Sequence, residues 1–67
     1  MTRHQALKLL LTRRIPDDVA SIEATLRAIA SRLDAAVGEG EYAEAHHRLD
    51  ELLTARDAAA RRDEVLV

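Results

Sequence analysis

Apolar residues recur along the chain at alternating steps of three and four, on either side of a pair of glycines. Val19, Ile22, Leu26, Ile29, Leu33 and Ala36 form one stripe, and Tyr42, Ala45, Leu49, Leu52, Arg56 and Ala59 form the second. A stripe of that period occupies one narrow face of an α-helix, the seam that a coiled coil buries. The break between the stripes is Gly38-Glu39-Gly40. Two helices with matching seams and a short glycine loop between them are expected to fold back as an antiparallel hairpin. With the reversal at Glu39-Gly40, residues whose numbers sum to about 79 lie level across that hairpin. Val37 then meets Tyr42, Leu33 meets Ala45 and His46, Ile29 meets Leu49, Leu26 meets Leu52 and Leu53, and Ile22 meets the turn at 56–59. Arg56 occupies a seam position level with Glu23, so the pattern predicts an ion pair there or two side chains that reach out to water.

The N-terminal stretch carries a shorter pattern. Thr2-Arg3-His4-Gln5 has the form of a capping box, with Thr2 as N-cap and Gln5 three residues on. The helix that follows presents Leu7, Leu10 and Leu11 on one face, with Ala6 and Leu9 beside them. Arg13 and Arg14 suit the negative pole at its end. Pro16 disfavours helical geometry at Ile15 and is at home in a first helical turn, and Asp17 and Asp18 put negative charge on the helix start that follows. The predicted elements are helices over about 3–13, about 16–37 and about 41–62, with a tail at about 63–67, all in one domain. No segment alternates with period two over strand length. The expected fold class is all-α, a short N-terminal helix plus a long antiparallel helical hairpin.

Composition adds a reason to look for a partner. Ten leucines, three isoleucines and four valines, with one tyrosine and no phenylalanine or tryptophan, make a thin core. A single core in a chain below about 70–80 residues rarely supplies more than ~3–5 kcal/mol. Cysteine is absent, which excludes disulfides, thiolate metal sites and thiol nucleophiles. Association with another copy remains, and a homodimer with a four-helix-type bundle at its centre is expected. The residues expected to carry self-association or partner binding are Leu7, Leu10, Leu11, Ile22, Leu26, Ile29, Leu49, Leu52 and Leu53. Ser21, Ala24, Ala28, Ser31 and Ala35 form a candidate second helix contact on the opposite side of the second helix, because a solvated face would carry charge rather than a row of small residues.

Charge is uneven. The net charge is −2, yet residues 1–16 hold Arg3, Lys8, Arg13 and Arg14 and no acid, while all 12 acids lie from Asp17 onward. The first helix either docks on its own acidic body or serves as a candidate basic arm for an acidic partner. A nucleic-acid-associated regulator using these four cations is the alternative function. It ranks second because phosphate binding normally shows a basic excess over the whole domain. A helix-turn-helix reading would also open its recognition helix on Asp17 and Asp18, which repel phosphates. No apolar run approaches the ~20 residues of a membrane span. The first helix lacks an aromatic anchor for a membrane surface, and Leu9-Leu10-Leu11 is too short for a signal-peptide core. A cytoplasmic location without membrane association is expected. Nine arginines against one lysine fit a small protein from a high-GC bacterial genome.

Chemistry-bearing patterns are sparse. Glu44 and His47 match the Glu-x-x-His half-site of di-iron bundles, but the seam at Tyr42, Ala45 and Leu49 turns both outward, and no glutamate of the facing helix lies level. The pairs His46 with Asp50 and His47 with Glu51 are spaced to support the helix by a few tenths of a kcal/mol, roughly. No serine or threonine sits in a nucleophile motif, and the glycines do not follow a strand as a phosphate loop requires. The sequence therefore nominates no catalytic residue, no metal ligand and no cofactor, and an enzyme is not expected.

Gly40-Glu41-Tyr42-Ala43-Glu44-Ala45 resembles the entry to the second helix of a tetratricopeptide repeat, over roughly fourteen residues, where a solenoid needs several such units. The same segment is similar to the helical hairpin of UvrB/UvrC-type motifs, with Arg48-Leu49-Asp50 transposing the first two residues of their leucine-arginine-aspartate run. Both resemblances imply a helical hairpin of the kind that binds other proteins. The expected function is a small protein–protein interaction module, an adaptor, regulatory subunit or assembly factor.

Overall fold

The computed structural model describes residues 1–65. Its first helix starts as the sequence predicts. Thr2 Oγ1 accepts the Gln5 N–H at 3.1 Å and the Thr2 N–H donates to Gln5 Oε1 at 2.9 Å, which completes the capping box of α1, Arg3–Thr12. An irregular connector carries Pro16, and α2 spans Val19–Ala30. The start expected at Pro16 falls later because Asp18 supplies the cap, its carboxylate accepting the Ser21 N–H at 2.9 Å.

α2 also ends well before the predicted limit at Val37. Ser31 Oγ donates to the Ala28 carbonyl at 3.1 Å, and the Arg32 guanidinium donates to the same oxygen at 2.9 Å. Arg3, from α1, donates to the Ser31 carbonyl at 2.8 Å. Side chains thus take the carbonyls that a longer helix would have used, and the chain tightens into a 3-10 turn, Leu33–Ala35. The reversal expected at the glycines therefore lies at 31–37. Both glycines belong to the first turn of α3, Gly38–Val65. Gly38, with φ at +79°, takes the left-handed conformation that swings the chain into that helix. Glu41 Oε1 reaches back to the Val37 N–H at 3.1 Å. The backbone of 63–65, expected as tail, continues α3; Leu66 and Val67 lie outside the described residues.

α2 and α3 run antiparallel at the predicted level. Arg56 Nε donates to Glu23 Oε1 at 3.2 Å, and Arg62 donates to the Asp17 carbonyl at 3.2 Å. Arg56 is exposed all the same, so the ion pair sits at the rim rather than in the seam. The deepest positions step by seven. Ile22 and Ile29 on α2, and Ala45, Leu52 and Ala59 on α3, are buried, as one edge of a heptad stripe should be. Val19, Leu26, Leu33, Ala36 and Leu49 pack around them as partly buried neighbours. Tyr42, expected on the seam, is half exposed.

Leu7 completes the core from the third direction. α1 lies antiparallel to α2 and parallel to α3, with Arg3 held at Ser31 and Asp34, His4 at Glu41 and Leu11 at Arg48. The N-terminal helix therefore docks on its own hairpin. Among the described residues, every buried side-chain nitrogen and oxygen has a hydrogen-bond partner.

Candidate interaction surfaces

The nine leucines and isoleucines nominated for association divide by depth. Leu7, Ile22, Ile29 and Leu52 are fully buried within the chain itself. Leu10, Leu11, Leu26 and Leu49 are partly buried against that core. Leu53 stands out at 49% exposure, as does Leu9 on α1.

These residues bring two separate surfaces into view. On the α1–α2 side, Met1, Ala6, Leu9, Leu10, Arg13, Ala28 and Arg32 line a shallow groove of ≈ 220 Å³. Of the small-residue stripe, Ala28 is half-buried in the groove with α1 and Ala35 is half-buried within the 3-10 turn, whereas Ser21, Ala24 and Ser31 are exposed. On the α2–α3 side away from α1, Glu23, Leu26, Arg27, Leu53 and Arg56 frame a second shallow groove of ≈ 220 Å³.

The four candidate cations of the basic arm do not act as one group. Arg3 grips Asp34 through both carboxylate oxygens, at 2.6 and 2.8 Å. That fork, first as a hydrogen bond and then as a charge, holds the Asp34 carboxyl below its ordinary pKa and the Arg3 guanidinium above its own. Lys8 lies near enough to Glu41 to help hold that carboxyl low, behind the larger effects of the Val37 N–H and of His4 at 2.8 Å. Arg13 and Arg14 are exposed at the end of α1 and make no ion pair among the described residues. The arm is thus largely spent on the chain's own acidic body, one of the two roles its charge predicted.

Glu44 and His47 share a third groove of ≈ 210 Å³ with Leu11, Thr12, Arg48 and Glu51. Arg48 stands among these groups as a fixed cation, and His47 pairs with Glu51 at 3.6 Å. His46, spaced to pair with Asp50, instead meets Tyr42 edge to face with ring centroids 4.6 Å apart. Among the described residues no group of three or more His, Cys, Asp or Glu side chains could hold a metal ion. No described helix is long and apolar enough to cross a membrane.

Sequence reasoning missed one set of side chains that tie the helices together. Arg48 donates to the Leu11 carbonyl at 2.6 Å, Arg62 to that of Asp17, Arg3 to that of Ser31, and Arg32 to that of Ala28. The guanidinium groups of Arg48, Arg3 and Arg32 satisfy main-chain oxygens at or near helix C-terminal ends, the groups a helix leaves without an internal partner, and that of Arg62 ties down the carbonyl just before the α2 N-cap. The signal available in the sequence was the arginine excess itself, since lysine offers no planar fork for two acceptors at once.

No family model matches this chain. No curated protein and no solved structure matches it significantly.

Proposed function

We propose that this chain is a small protein–protein interaction module that acts through helix packing and associates with itself. The observation that carries the reading is the mismatch between a small core and the apolar surface left outside it. Among the described residues, two of the six buried in the core are alanines, and the four large ones are Leu7, Ile22, Ile29 and Leu52. Meanwhile Leu9, Tyr42 and Leu53 are each 49% exposed and Val37 is 65% exposed. Leu53 lies beside Leu26, and Leu9 beside Leu10, so two of these side chains extend apolar grooves rather than standing alone. Apolar surface arranged in grooves between helices and rimmed by charge is the form that helix-docking partners use. The internal pairing of Arg3, together with the overall acidity, favours a protein partner over a phosphate backbone.

The test is mass and stability against concentration. Light scattering should report a species heavier than one chain, and the melting temperature should rise with protein concentration, because association stabilises the folded state by mass action. A single chain at about 1 mM, melting at the same temperature over the whole range, would remove the reading.

A further inference from the structure

The α2–α3 face turned away from α1 carries its own complement. On helical period, Val19, Glu23, Leu26 and Ala30 of α2 stand along it, level with Ala60, Arg56, Leu53 and Leu49 of α3. Its centre is Leu26 beside Leu53. Around that centre the charges do not balance within one chain. Among the described residues, Glu23 is the only carboxylate paired with Arg56, at 3.2 Å, and with Arg27, at 3.9 Å. The Arg27 side chain remains 74% exposed. On the neighbouring edge of α3, three residues before Leu53 and four after it, Asp50 and Asp57 are exposed and make no ion pair among the described residues. The same face thus presents an unneutralised cation on one helix and unpaired anions on the other.

We propose that this face is covered by a second copy of the chain, docked about a twofold axis parallel to the helices. The proposal rests on the self-association read above and names the surface that carries it. A twofold axis in that direction lays α2 of one copy antiparallel against α3 of the other, and residues that are level within a chain are then level between chains. Leu26 and Leu53 of both copies form one central apolar layer. Arg27 of each copy comes opposite Asp50 of the other, so one favourable contact is made twice. An unrelated partner would need an acid and a base of its own in the same places, whereas a second copy brings both by symmetry. α1 stays on the outside of both hairpins, leaving a four-helix centre.

Sedimentation equilibrium of the full chain tests the face, with circular dichroism confirming that each variant keeps its helices. Leu53→Glu, at a half-exposed site, is expected to raise the dissociation constant about a hundredfold. Arg27→Glu and Asp50→Arg are each expected to raise it about tenfold, and the two together to return it to near the original value, because the exchanged charges still meet. A dimer indifferent to Leu53→Glu, or a double variant no tighter than either single one, overturns this face and leaves self-association standing. A native chain that is monomeric at about 1 mM overturns both.

Discussion

Among the described residues, Leu7, Ile22, Ile29 and Leu52 are the large side chains fully withdrawn from water. Truncating a buried leucine costs about 2–5 kcal/mol, from lost transfer energy and the cavity left behind. A core in a chain of this size supplies about 3–5 kcal/mol in net terms. Leu52→Ala is therefore expected to abolish most of the helical circular dichroism signal at room temperature; a fully helical variant would show that the core is more forgiving than its size implies. The sequence identified these residues as belonging to faces that need burial. It did not say what buries them, since the period of a stripe reports a side of a helix and nothing about the object opposite. Leu7 illustrates the gap. Its position is legible in the first helix, yet its place in the core shared with α2 and α3 depends on how α1 lies across the hairpin, which no local pattern encodes.

At the scale of elements, the first helix was legible at both ends, whereas α2 starts three residues later and ends seven residues earlier than its pattern suggests, and α3 begins three residues earlier. Thr2 with Gln5 predicted a cap that forms as read, because both partners lie within one turn. The end of α2 was misplaced because its cause is remote. Arg3 comes from α1 to hold Ser31 and Asp34, and no residue in 31–37 is by itself a helix breaker. The glycines, the strongest local signal, mark the entry to α3 rather than the loop. These joints also fix a pH dependence. The carboxyls of Asp18 and Asp34 are held below the ordinary value of 3.8, and that of Glu41 below 4.5. A carboxyl with a depressed folded-state pKa contributes stability above its ordinary value and loses it as pH falls through the folded one. The melting temperature is expected to hold steady above the ordinary value of 4.5 and to fall with acidification through 3.8 and below. Asp34→Asn should flatten that decline in a pH series of thermal melts, and an unchanged slope would mean the α1 clamp does not contribute.

As a whole molecule, the chain is organised by its longest piece. α3 has 28 residues, which at 1.5 Å each gives about 42 Å, close to the 44 Å long axis of the structure. α1 and α2, with 10 and 12 residues, are laid side by side on that rod. Their connections are fastened by guanidinium groups, at Ser31 and Asp34 by Arg3, at Leu11 by Arg48 and at Asp17 by Arg62. Folding thus commits to fasteners a cation that water at ordinary alkalinity cannot discharge. For Arg3 the hydrogen bond and charge of the Asp34 carboxylate lift the pKa further above the ordinary guanidinium value, so the stability it contributes is intact across the neutral and moderately alkaline range and is lost only in strong base. Titration with base should leave the Arg3–Asp34 tie closed to beyond about pH 11, where an ammonium group would already have released its proton. Helix content falling near pH 10 would place the seat of stability elsewhere, whereas persistence would show a molecule whose buckles base does not undo.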